Sequence, residues 1–477
     1  MLKLHGSSAS QERVLFRGSH YSEAFARQAT SLVAAVMMMA LMLASVPTSA
    51  AEDVTDEVAL TVSGAERQAN KDGSIPAWDG GLQQPPRGWS PDRGYVDPFP
   101  TDRPLFVIDS KNIGDHRAKL SPGLQALVSG SGDVRLPVYQ SRRTAAIPTW
   151  VTDVAKKEAA NISLSGETIL GRNQSTIPFL TPKSGVEVMW NHRLRYRGGV
   201  DEHDEFWYPV RGGKIHSKVG FRQRVAENSA LDTPTPNGIA FVRGRFFTPP
   251  TLAHTEVIIH ETLEASEDSR NWWVLNDAQK RLRRLSAAGY DDIPQGVEDL
   301  RTRDQSDAFN GSFNRYDWKL VGKKELIVPY NIFKLSDKRL AIEHVLGARS
   351  IKPDFMRYEL HRVWVVEATL KPGMRHLYPK RTFYVDEDSW SVLLEDIYDS
   401  RGELWRVAVH GLTQFYDVQV PAYRVNIWHD LTNGAYLVAG LDIESKTVRK
   451  FATKASLADF LPTPAAAKNT KNKEGAK

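Results

Sequence analysis

No cysteine occurs anywhere in the chain. Disulfides, thiol nucleophiles, redox pairs and Cys-based zinc sites are therefore excluded. Lipid attachment at a bacterial signal cleavage site also needs a Cys, so the protein is not itself a lipoprotein. Excess charge of one sign is scarce too. Lys and Arg number 62 against 57 Asp and Glu, a formal +5. Residues 1–50 carry Lys3, Arg13, Arg17 and Arg27 against Glu12 and Glu23, which leaves +3 of the +5 on the rest. So small an excess gives no electrostatic footprint for nucleic acid. Nucleophile elbows, P-loops and dinucleotide fingerprints are missing. The SGSG run at 129–132 follows no strand pattern and does not qualify.

Long apolar runs are absent but for one, Leu32 to Val46 (LVAAVMMMALMLASV). It follows Arg27 and precedes Pro47-Thr48-Ser49-Ala50-Ala51. A charged start, a short apolar stretch and small residues at the cut define a secretory signal peptide. The run falls short of the roughly 20 apolar residues that a spanning helix needs. Cleavage is expected after Ala50 or Ala51, placing the product in the periplasm or at the periphery of the outer membrane. The segment ahead of the run is long for such a leader, which fits a start downstream of Met1.

What is present is an ordinary globular composition, 41% hydrophobic and 25% charged, with 12 Trp. The sequence divides into a leader and N-terminal extension (1–50), a strap with short helices (51–160), a β-rich body (161–462) and a polar tail (463–477). Residues 64–104 are rich in Gly and Pro yet hold Trp78, Trp89, Tyr95 and Phe99. Disordered linkers are poor in aromatics, so this segment is expected to lie ordered across the surface. Asn112 to Leu120, Pro122 to Val128 with Ser121 as N-cap, and Val151 to Ala160 have helical spacing.

From about residue 165 the period becomes two. Val186 to Trp190, Glu256 to Glu264, the hairpin Asn271 to Leu285, Tyr316 to Val328 and Tyr358 to Leu370 all read as strands. So do Thr382 to Val385, Ser391 to Tyr398 and Leu404 to His410, with turns at 386–389 and 399–402. The 386–389 turn and its neighbour predict an acidic rim to a wall. A helical interruption is expected over Asp337 to Leu346.

Four constellations bear on chemistry. WNHRLRYRGG (190–199), read as a strand, puts Trp190, His192, Leu194 and Tyr196 on one face and Arg193, Arg195 and Arg197 on the other. Guanidinium forks suit a lipid phosphate or carboxylate, although a solvated charged face is the commoner meaning. DEHDEFW (201–207) gathers acids around His203 and reads as a solvated loop rather than a metal site. HETLE (260–264) lacks the second His of a metalloprotease and alternates as a strand. His361, between Glu359 and an apolar VWVV run, reads as a structural, hydrogen-bonded histidine.

Five stretches together resemble one family: GAERQANKDGSIPAWDGG (64–81), PFLTPKSGVEVMWNHRLRYRG (178–198), AFNGSFNRYDWKLVGKKELIVPYN (308–331), RYELHRVWVVEATL (357–370) and RTFYVDEDSWSVLLEDIYDSRGELWRVAVHG (381–411). The chain is similar to a group of Gram-negative envelope proteins described as outer-membrane lipoprotein-sorting-like (domain of unknown function 1329). The resemblance implies the fold of the LolA and LolB lipoprotein carriers, a half-open barrel in which a large curved antiparallel sheet wraps a hydrophobic cavity. Family members are often encoded near exporters of the RND type. It therefore implies an RND-type exporter or an outer-membrane protein as partner, and no catalytic residues.

The expected product is a mainly β, non-catalytic carrier of a hydrophobic, lipid-like ligand, without cofactor or metal. Candidate ligand contacts are Trp190, Arg193, Arg195 and Tyr196, then Trp207, Trp272 and Trp273, then Trp318, Trp364, Tyr384 and Trp405. Two other classes stay open: a scaffold of an export assembly with a filled core, and a hydrolase using carboxylates of 201–205 or 386–399.

Overall fold

Alternation along the chain builds one large sheet, and the pairing order of its strands positions everything else. In the computed structural model, residues 59–462 are described, apart from 131, 264–269, 277–278, 280 and 286–288. Leader and tail lie outside the described residues. Among the described residues no helix is long and apolar enough to cross a membrane.

The first run of strands is β1 (Val200–Arg211), β2 (Val219–Glu227), β3 (Gly238–Thr248), β4 (Thr255–Thr262), β5 (Arg270–Asn276) and β6 (Arg281–Leu285). The second is β7 (Tyr316–Pro329), β8 (Tyr358–Leu370), β9 (Lys380–Asp386), β10 (Val392–Tyr398), β11 (Leu404–Phe415), β12 (Val420–Asp430) and β13 (Tyr436–Leu441). Each run is an antiparallel meander in which successive strands pair. The two meanders join where β13 pairs with β1, Tyr436 opposite Val210. The order across the sheet is therefore β7 to β13, then β1 to β6. Strands β6 and β7, neighbours in sequence, are its two free edges among the described residues. A β6–β7 pairing would close a barrel, and among the described residues it is not made.

The expected architecture is the one observed: mainly β, large, curved and open, with few short helices. Among the described strands one pairing departs from antiparallel, besides the isolated parallel bridge Leu231–Ala455. The short strand Leu136–Tyr139 runs parallel to the start of β8. Part of the strap packs on the sheet. Tyr95 stacks edge-on against Phe415 at 4.5 Å and donates its hydroxyl to Asp417 at 2.8 Å.

Helices cover the second meander on both sides. α1 (Pro122–Ser129) begins at Ser121, whose Oγ accepts the Leu124 N–H at 3.1 Å and donates to Asp396 Oδ1 at 2.9 Å. Gly123 lets this helix touch the sheet, since a Cβ there would stand 2.2 Å from Asp396 Oδ1. Leu124, Leu127 and Val128 then pack with Val363, Val365 and Val409. α2 (Thr149–Glu158) follows the expected spacing. α3 (Gly185–Leu194) covers the opposite face, where Val188, Met189 and Trp190 pack with Val366, Phe383 and Val385. Strands β9 to β11 are consequently buried on both faces.

Four local expectations are corrected. Val186 to Trp190, read as a strand, lies in α3. Its apparent alternation came from the Val, Glu and Met residues of a helix buried almost all round. DEHDEFW, read as a loop, is the first half of β1. The turn 386–389, read as an acidic rim, is buried. The helix over 337–346 shrinks to the single turn Ile342–Val345.

Candidate functional site

The first meander encloses what the second does not fill. Residues of alternate parity face one cavity: Asp201, His203, Glu205 and Trp207 on β1, Phe221, Gln223, Val225 and Glu227 on β2, Val257 and Ile259 on β4. Trp272 and Val274 of β5, Leu285 of β6, and Tyr423 and Trp428 of β12 border the same space. On a flat sheet, with neighbouring strands about 4.8 Å apart, β12 and β6 would lie about 34 Å apart. Strands that far apart on a flat sheet could not line one space, so the sheet curls around the cavity of about 440 Å³. The volume lies within the roughly 300–1,000 Å³ typical of small-molecule sites.

Opposite parity gives the other face to the core. Phe206, Tyr208 and Val210 of β1 pack with residues of α1 and the second meander. Gly244 on β3 leaves room on the cavity side for the Phe221 ring, whose Cζ would stand 2.0 Å from a Cβ at that position.

The open side is bordered by two irregular segments. Residues 193–199 leave the end of α3, and residues 294–310 span the gap between β6 and β7. Both bring arginine. Arg193 is buried, donates to the Gly311 carbonyl at 3.0 Å, and lies 3.5 Å from Glu261. Arg195 pairs with Asp307, and Arg197 reaches the same carboxylate at 2.7 Å. Burial works to raise the Asp307 carboxyl, but the Arg195 and Arg197 guanidiniums outweigh it and hold the group well below the usual carboxylate range. Asp201 is held down in the same way by Arg449 and His203 against its burial. Glu227 has less help, and burial pushes it up to about 7.

Of the residues singled out in the sequence, Arg193, Arg195, Trp207 and Trp272 border the cavity. The others stand elsewhere. Trp190 packs on Phe313 at 4.6 Å and donates to the Glu167 carbonyl. Tyr196 joins the strap cluster with Tyr95 and Phe415. Trp273 faces His260 on the other side of β5. Trp318 packs on Phe309 and Phe383, Trp364 stacks on Trp390, Tyr384 donates to Asp396, and Trp405 donates to Asp430. The face division drawn for 190–199 as a strand does not survive, because the first half is helical. Its three arginines still converge on the cavity from the helix end and the extended residues after it.

Sequence reasoning missed Arg301, Arg303, Tyr423 and Trp428. The two arginines lie in an irregular segment without periodicity. Trp428 is one of several aromatics at alternating strand positions, and only the curl of the sheet decides which face turns inward.

The buried 386–389 turn is a second polar centre. His361, Asp386 and Asp388 offer ligand atoms within 4.8 Å of one another, yet each has protein partners. Arg143, delivered by the segment before α2, makes a bidentate pair with Asp388 at 2.6 and 2.9 Å. Arg362 and Lys323 pair with Glu387 at 3.2 and 2.9 Å. His361 Nε2 contacts Glu359 at 3.0 Å, and its ring stacks on Tyr330 at 3.9 Å. This is the structural histidine expected from the sequence. The turn is an ion-paired joint between strap and sheet.

Comparison with known proteins places the chain. A family model described as protein of unknown function (DUF1329) matches residues 107–466, and the chain belongs to this family. It is 39% identical over 440 residues to the uncharacterized protein PA3922 of Pseudomonas aeruginosa strain PAO1, covering 91% of this chain and 96% of that one. Two crystal structures are similar at TM-score 0.39 each. One is a DUF1329 family protein from Desulfovibrio piger, 14% identical, covering 56% of this chain and 90% of that one. The other is a putative outer membrane lipoprotein-sorting protein domain from Vibrio parahaemolyticus, 15% identical, covering 58% and 95%.

Proposed function

We propose that the protein is a non-catalytic carrier for a hydrophobic, lipid-like ligand in the Gram-negative periplasm. The observation that supports this reading is the curled first meander around a cavity of about 440 Å³, lined by an apolar row beside charged and polar residues. Val225, Val242, Val257 and Ile259 offer an unbranched ligand a surface free of donors and acceptors. Each 100 Å² of apolar ligand surface buried there contributes about 2.5 kcal/mol. The unmade β6–β7 pairing gives a route in and out. The leader supplies the compartment, and the envelope resemblance supplies the partner class, an RND-type exporter or an outer-membrane protein that takes the ligand on.

The test is native mass spectrometry of the protein purified from a Gram-negative periplasm, with lipid analysis of an organic extract. The expected result is a stoichiometric adduct that extraction removes, with a mass that names the ligand class. A protein that is recovered empty and stays empty when envelope lipids are supplied would instead be a scaffold, and the carrier reading would fall.

A further inference from the structure

The cavity wall is unbalanced in its hydrogen bonding, and the imbalance has a sign. Among the described residues, the buried polar atoms that border it without a partner include Nε of Arg193, Arg195, Arg197, Arg301 and Arg303, and Nε1 of Trp272 and Trp428. All of these are N–H donors. Two acceptors share that condition, Asp307 Oδ2 and Glu227 Oε2. Asp307 Oδ2 already faces Arg197 at 2.7 Å. Glu227 is the carboxyl that burial pushes up to about 7, so it is half protonated near neutrality. Buried donors without acceptors are costly, and native structures seldom keep them without a purpose.

Arg301 concentrates the imbalance. It is 7% exposed and stands at the junction of β1, β12 and the segment that spans the seam. Its Nη1 turns back onto the carbonyl of its own neighbour, Thr302, at 3.2 Å, and its Nε has no partner. The guanidinium lies 5.4 Å from the ring centres of both Trp207 and Trp428. Indole faces attract a cation but accept no strong hydrogen bond. Other arginines of the cavity meet carboxylates: the buried Arg193 and Arg270 share Glu261, the buried Arg195 meets Asp307, and the half-buried Arg449 meets Asp201. No carboxylate within ion-pair distance of Arg301 is found among the described residues. Burial pushes its guanidinium down to about 10, with the charge of Glu205 opposing. The cation is kept where it is poorly satisfied.

Building on the carrier reading, we propose that the ligand is an amphiphile with an anionic head group, carboxylate or phosphate. Arg301 takes the head between Trp207 and Trp428. Its Nε–H is free in the guanidinium plane, the plane in which such forks pair with both oxyanions. Trp428 Nε1 adds a neutral donor beside it. The tail runs from Phe221 and Phe246 along Val225, Val242 and Ile259. A cationic or zwitterionic head would leave Arg301 facing like charge or compete for the same neutralisation.

The test is calorimetric titration of the full protein with dodecanoate, dodecyl phosphate and dodecanol, which share a tail and differ in head. At least one anion is expected to bind roughly tenfold or more tightly than dodecanol. The tighter anion identifies the head chemistry. In Arg301→Gln that preference falls to within about twofold, and Arg301→Lys retains part of it. If dodecanol matches both anions on the unsubstituted protein, the head-group inference is overturned and the carrier reading stands. If none of the three binds, the carrier reading itself fails. The comparison of heads on the unsubstituted protein decides the matter even if Arg301→Gln does not fold.

Discussion

Single residues show how far this fold relies on buried charge. Asp396 sits under the first turn of α1, where it accepts from Ser121 and Tyr384 at 2.9 Å each. Burial still dominates and pushes the carboxyl up to about 6, with the Tyr384, Gly123 and Ser121 hydrogen bonds opposing. The sign follows from proton counting. Between about pH 4 and 6 the native protein holds a proton that the unfolded chain has released. The stabilisation is fully present below about pH 4 and is lost as the pH rises through 6. At 1.36 kcal/mol per unit, the loss is at most roughly 3 kcal/mol. Asp396→Asn is expected to remove this decline, so its stability gains on the parent as the pH rises from 4 to 6.5. Urea denaturation at a series of pH values measures this; parallel curves for the two proteins would contradict it. Little of it was legible in advance. The sequence marks Ser121 as a cap but does not show which carboxylate waits beneath it. The same holds for Asp386 to Asp388. Acidic residues in a turn normally face water, and only the strap, folding Arg143 over them, makes them core.

Elements were legible where their period was unambiguous and their pairing local. The hairpins of β5–β6 and β9–β10 follow directly from alternation and turn chemistry. The error at α3 is instructive because the correcting signal was present. Ser184 stands three residues before Glu187, the spacing of a capping box. In the structure Ser184 Oγ accepts the Glu187 N–H at 3.3 Å, and Glu187 reaches back to the backbone N–H of Lys183. Alternating Val186, Val188 and Trp190 outweighed that signal because the helix is buried on nearly every side and has no polar stripe. Ser184→Ala is expected to cost about 1 kcal/mol, seen as a lower midpoint in thermal unfolding. It should also loosen Arg193 and Arg195, which α3 delivers to the cavity. A substitution that leaves the midpoint unchanged would mean that packing alone fixes the helix start. The loop reading of DEHDEFW failed for a related reason. Gly198 and Gly199 before it suggested a turn that continues, whereas they end one, and the charged run that follows alternates between cavity and opposite face.

At the scale of the molecule, the mainly β class was readable from the number of alternating strands, and the curl was implied by the family resemblance. The order of the sheet was not. Nothing local states that β13 pairs with β1 across more than two hundred residues of sequence, so the position of the seam could not be placed. The seam divides the sheet energetically. Strands β9 to β11 are hydrogen-bonded and buried on both sides, whereas β6, among the described residues, pairs with β5 alone and is largely exposed. Amide hydrogen exchange is therefore expected to be faster in β6 than in β10 by orders of magnitude, because edge strands open locally and core strands only with the whole fold. Equal protection in the two strands would show a sheet closed in solution.

The seam also bears on timing. A closed barrel must break ladder hydrogen bonds to admit a ligand wider than its mouth, which ties release to partial unfolding. Here, among the described residues, no ladder joins the two edges, and the segment that carries Arg301, Arg303 and Asp307 borders the cavity beside them. Widening the mouth breaks no strand pairing. On the carrier reading proposed above, residence time would be set by that segment and shortened by anything that draws it aside, while the rest of the sheet keeps its register and stability.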